Sequence, residues 1–146
     1  MSRSSFLRVL AVTLGVVFVL AACGGDDDAT DSTGEGSDAP DVEFTDGELP
    51  ESLPEDFPIP VGAVVGTGVV NRTSGQVEVI LRVPAGVPAV AEFFEVNLDN
   101  RGFDVTSSDG GPDGWNVAFE KDGGTGTVDL SPVGEQLSQA IIRYQR

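Results

Sequence analysis

The chain has 146 residues, 24 acidic against 8 basic side chains, a formal charge of −16, one cysteine and no histidine. That length suits one folded domain with a modest core, and that charge repels phosphate backbones, so nucleic acid is not expected as a partner. Without histidine the usual general base near neutral pH is missing, and with one cysteine there can be no zinc centre built from Cys and His, no histidine-dependent triad and no disulfide within the chain.

At the N-terminus, Arg3 and Arg8 introduce an apolar run of 14 residues, Val9 to Ala22, interrupted only by Thr13 and Gly15. A membrane-spanning helix needs about 20 apolar residues, so an uncleaved anchor fits less well than the hydrophobic region of a signal peptide over residues 1–22. The run stops at Cys23, which is followed by two glycines and three aspartates. A lone cysteine is commonly a buried, inert thiol, but this one has no apolar sequence after it to pack against.

Leu20-Ala21-Ala22-Cys23 resembles the lipobox of bacterial lipoprotein precursors. The resemblance implies cleavage between Ala22 and Cys23 and a diacylglyceryl group on the Cys23 sulfur, which becomes the new N-terminus. Each buried methylene adds about 0.8 kcal/mol, so one acyl chain anchors only marginally whereas two anchor stably. The expected location is the extracytoplasmic side of the cell membrane, held by lipid.

From Gly24 to Pro60 there are 13 acidic residues and no basic one, whereas from Val61 onward 11 acidic and 6 basic residues leave a net of −5. Residues 23–56 are rich in Gly, Ser, Thr, Asp and Pro and carry few large apolar side chains, too few to offset the entropy of ordering them. They are read as a disordered acidic tether spanning roughly 30 Å as a flexible coil, and further under charge repulsion. Asp26-Asp27-Asp28 reads as a solvated charge run, because calcium requires six or more oxygens held at set distances.

The folded domain is expected over residues 57–146. LPEDFPIPVGA, from Leu53, reads as an extended entry segment. AVVGTGVVN (63–71) and QVEVILRV (76–83) flank the turn-forming RTSG, and Val77, Val79, Leu81 and Val83 share one face while Glu78 and Arg82 share the other, as in a half-buried hairpin. In PAVAEFFEVNLDNR (88–101) the spacing becomes helical, with Val90, Phe94 and Leu98 on one stripe, Pro88 in the first turn and Gly102 past the end. FDVTS (103–107) and WNVAFE (115–120) alternate as strands, followed by TGTVDLS (125–131) and LSQAIIRY (137–144). The architecture expected is a two-layer α+β domain, an antiparallel sheet of about five strands with one helix on one face, in the order strand, strand, helix, strand, strand, strand. With its proline-rich entry ending in PVGA, its helix containing FF and its Gly102-Phe103 exit, the domain also resembles the small globular domains of bacterial lipoproteins of unassigned function, a likeness that implies a fold and no activity.

No catalytic constellation emerges. Most carboxylates fall in turns or on outer faces, and a glycosidase needs two held about 5 to 9 Å apart across a cleft. GGTGTV (123–128) opens a strand, whereas a phosphate-cradling loop opens a helix. The glycines of VVGTGVV (64–70) suit a bulge or close packing, Asp109-Gly110-Gly111-Pro112-Asp113-Gly114 lacks the ligand spacing of a calcium loop, and Asn71-Arg72-Thr73 matches an acceptor rule for glycosylation that seldom operates in bacteria. Lys121 reads as a solvated turn residue. The candidate binding patch is Trp115, the single tryptophan, with Asp109 and Asp113 of the adjoining loop; alternation of Trp115, Val117 and Phe119 also suits packing in the core.

The chain is thus read as a lipid-anchored envelope protein without enzymatic activity, cofactor or metal, presenting a small binding or assembly domain to other envelope proteins. A small-ligand carrier or a hydrolase using the exposed sheet face near Trp115 is the alternative, and would require a concave apolar pocket. Intact-mass analysis of the protein from its native host is expected to find residues 1–22 removed and a lipid on Cys23, and Cys23→Ala to abolish both changes; a full-length chain with a free thiol would refute the anchor.

Overall fold

The computed structural model describes residues 41–146. The expected signal peptide, Ala22, Cys23 and the first part of the expected tether lie outside the described residues. The elements are β1 (Val42–Asp46), β2 (Val64–Asn71), β3 (Gln76–Val83), α1 (Val87–Asn100), β4 (Asp104–Gly111), β5 (Gly114–Lys121), β6 (Gly124–Gly134) and β7 (Leu137–Gln145). The strands form one antiparallel sheet in the order β1-β2-β3-β7-β6-β5-β4.

This order follows from how the connections close. β2 and β3 form a hairpin, α1 then carries the chain to the far edge of the sheet, and the strands β4 to β7 return by successive hairpins until β7 docks on β3. Two local signals start and stop the helix. Pro88 occupies the first turn, where its missing N–H costs nothing. At the other end Gly102 takes a left-handed φ of 75°. Its N–H then donates to the Asp99 carbonyl and that of Phe103 to the Leu98 carbonyl, both at 3.0 Å, completing a Schellman cap.

The expectation of about five strands is corrected to seven. Four strands follow the helix where the expected order counted three: the segments 103–107, 115–120, 125–131 and 137–144 each form one, and β6 runs on to Gly134 and meets β7 through an irregular register between Pro132 and Gly134. The seventh, β1, lies inside the stretch assigned to the tether. It is an edge strand whose order comes from backbone pairing with β2, so its side chains needed no apolar alternation, and its acidic surroundings concealed it. Val42–Asp46 is thus part of the sheet. One helix does pack on one face of the sheet.

The connection after β1 belongs to the core as well. The Gly47 N–H donates to the Gly66 carbonyl at 3.1 Å, Pro50 is buried, and Leu53 and Phe57 belong to the apolar cluster. That cluster gathers Val77, Val79, Leu81 and Val83 from β3, Val117 and Phe119 from β5, Val128 and Leu130 from β6, Ala140, Ile142 and Tyr144 from β7, and Val87, Val90, Ala91, Phe94 and Leu98 from α1. Phe57 is its aromatic hub, with ring centroids 6.0 Å from Phe94, 5.7 Å from Phe103 and 5.5 Å from Phe119, tilted or edge-on, the geometry that aromatic quadrupoles favour. Among the described residues no element lies over the opposite face of the sheet.

Gly126 makes room for this packing, since a Cβ there would sit 2.3 Å from Phe119 Cζ and 2.6 Å from the Arg143 carbonyl oxygen. Gly126→Ala is therefore expected to cost about 1–3 kcal/mol through overpacking, and Gly102→Ala about 1 kcal/mol through its left-handed φ. Urea unfolding of both variants checks this. Equal stability of Gly126→Ala and the parent would contradict the packing described.

Candidate functional site

The uncovered face is built by the residues that alternate with the core. Across it one row reads Phe44, Val69, Glu78, Arg143, Thr127 and Ala118 from β1 to β5, and the next reads Ile80, Ile141, Asp129, Asn116 and Asp109. The β1 side is apolar, with Phe44 71% exposed, and the β4 side is polar.

Arg143 organises the polar half. Its Nε donates to Glu78 Oε2 at 2.8 Å and its Nη1 to Asp129 Oδ2 at 2.6 Å, joining carboxylates on the two flanking strands. Asn116 Nδ2 donates to Asp129 Oδ1 at 2.7 Å. All three ionic groups are partly solvated, so each pair contributes at most about 1 kcal/mol and serves mainly to fix side-chain positions. Beside them lies a shallow hollow of about 290 Å³ lined by Gln76, Thr106, Ala118, Thr125, Thr127 and Arg143 among others. Its hydroxyls and amides offer hydrogen bonds, and its guanidinium is already neutralised.

Trp115 lies on the other side of the sheet. It pairs with Leu130 in an inward-facing row and packs half-buried against the core. Its Nε1–H donates to Ser108 Oγ at 2.7 Å, and the Ser108 hydroxyl donates to Glu95 Oε1, so a two-bond relay ties β5 through β4 to α1. Asp109 is opposite Asn116 and thus shares the uncovered face. Asp113 is exposed in the turn between β4 and β5. These three candidate residues are neighbours along one hairpin, but the structure does not bring them together into a site.

Several contacts escaped sequence reasoning. Helical spacing turns Glu95 away from the Val90-Phe94-Leu98 stripe, yet it accepts the Ser108 hydroxyl from 13 positions away. Lys121 was read as a solvated turn residue, yet its Nζ donates to the carbonyls of Arg101 and Gly102 at 3.0 and 3.2 Å and stands 4.8 Å from the centroid of Phe103. There it satisfies the exposed carbonyl end of α1 with a positive charge. The alternation on the outer face put Glu78 and Arg82 on one side, but only the β3–β7 register shows that Arg143 is Glu78's partner.

At the far edge the Arg72 guanidinium is bonded to Glu43, and that hydrogen bond, then the charges of Glu43, Asp41 and Glu51, raise its pKa above the usual arginine value. Among the described residues no group of three or more metal-ligating side chains is assembled.

No family model matches the chain, and no curated protein or solved structure matches it. The geometry alone bears on function.

Ser108→Ala breaks both bonds of the relay and leaves a half-buried indole N–H without its partner. The expected result is a loss of about 1–2 kcal/mol together with a shifted emission maximum of Trp115. Unchanged emission and stability would show that the relay holds nothing in place.

Proposed function

We propose that the protein is a lipid-anchored component of the bacterial cell envelope whose folded domain binds or assembles with other envelope proteins outside the membrane. The observation that carries the binding role is a sheet covered on one side only: among the described residues its other face is open, and β1 and β4 are unpaired edges. An unpaired edge strand offers main-chain donors and acceptors to another chain, and on β4 the regular stretch from Ser107 to Gly111 is free to do so. The lipobox and the acidic run after Cys23 support the anchoring and the spacing from the membrane surface.

A small-ligand carrier or hydrolase centred on Trp115 has less to rest on. The Trp115 ring packs against the core and its N–H is already engaged, while the hollow on the open face is shallow and on the other side of the sheet.

Cross-linking of the full chain in its native membrane, followed by affinity capture, is expected to return the same envelope proteins repeatedly. Cys23→Ala, which removes the proposed anchor, is expected to reduce that capture severalfold or more while leaving the fold intact. Repeated captures without any recurring partner would overturn the binding reading.

A further inference from the structure

Strand β4 ends the sheet, so the main-chain groups on its outer side have no partner strand. Its first part is irregular, with a register shift between Val105 and Ser107, but Ser107 to Gly111 run in unbroken register opposite Ala118 to Gly114. Helix α1 overhangs this edge. Between helix and strand lies an open groove of about 600 Å³ lined by Glu95, Val96, Asp99, Asp104, Val105 and Ser108 among others.

The lining has a definite chemistry. Three carboxylates, Glu95, Asp99 and Asp104, face one groove, and the ion pairs among the described residues engage none of them. Glu95 is held in place by the Ser108 hydroxyl. Val96 is 53% exposed beside them, and Val105 lies half-buried in the floor. The other edge differs. There β1 has only 5 residues, its Glu43 is neutralised by Arg72, and the connection from Glu48 to Ser52 closes over the adjoining hollow.

We infer that the groove between α1 and β4 is a docking site for an extended lysine- or arginine-rich segment of a partner protein, which adds to the sheet beside β4. The unpaired edge supplies main-chain hydrogen bonds, and the valines receive the aliphatic stems of the incoming side chains. The three carboxylates receive their cations and reject acidic segments. This rests on the reading of the domain as a binding module and names the partner's chemistry.

The single tryptophan makes the site observable, because Trp115 Nε1 is bonded to the same Ser108 that holds Glu95. Titrating the full chain in detergent with an acetylated, amidated peptide of four Lys-Val repeats is expected to give a saturable change in Trp115 emission and slowed amide exchange confined to residues 104–111. Glu95→Gln, Asp99→Asn and Asp104→Asn together are expected to weaken the peptide about tenfold or more, since each exposed pair is worth a factor of roughly two to five. Raising the ionic strength is expected to weaken it too, and the corresponding Glu-Val peptide to leave the emission unchanged. Equal affinity of the triple variant and the parent would overturn the assignment, as would slowed exchange at residues 42–46 in place of β4, or no binding of the Lys-Val peptide. If the cross-linked partners of the preceding section are still captured by the triple variant, the groove assignment fails and the binding-module reading stands; if neither chain captures any, the module reading itself fails.

Discussion

The pairing of β3 with β7 is the constraint on which the rest of the domain depends. It joins the unit made by β1, β2 and β3 to the returning strands β4 to β7 through an unbroken register from Gln76 opposite Gln145 to Val83 opposite Ser138. Each half without the other would expose a row of apolar side chains, Val77, Val79 and Leu81 on one and Ala140, Ile142 and Tyr144 on the other. The pairing also explains the load on the helix. α1 must carry the chain from the middle of the sheet to its edge, and in doing so it covers the strands that will later return.

Covering by a single helix is incomplete, and the chain compensates with its own entry segment. Pro50 lies where a Cβ on Gly68 would meet it at 2.9 Å, and Phe57 fills the space among Phe94, Phe103 and Phe119. A segment whose composition suggests a solvated linker thus supplies part of the core. The same economy leaves the other face bare, and there polar side chains arranged around Arg143 stand where a sandwich would have a second sheet.

What could be read from the sequence depended on how local each cause was. The β2–β3 hairpin was legible in the alternation of Val77, Val79, Leu81 and Val83, and the end of α1 in Gly102 and Phe103, because period and cap lie within a few residues of one another. Strand β1 was not legible, since VEFTD owes its conformation to β2, more than twenty residues downstream, and exposes its largest side chain. The strand order was equally hidden. It is fixed by the meeting of β3 and β7, about 65 positions apart, of which neither segment carries a local trace. The candidate patch is divided for a similar reason: Trp115, Asp109 and Asp113 are close in sequence, but the two-residue period of a strand sends Trp115 and Asp109 to opposite faces. The groove beside β4 had half a signal, in that Glu95, Asp99 and Asp104 were visible as charges, while Ser108 and the free edge became apparent only with the topology.

The centre of the sheet is filled by the strand that comes seventh in chain order. A polypeptide emerging from its N-terminal end, whether from a ribosome or through a translocation pore, can form the first hairpin and the helix early but cannot seal its interior until Leu137–Gln145 has arrived. Closure of this kind makes the stretch of emergence before β7 the time at which the naked side of β3 is most open to pairing with the wrong neighbour.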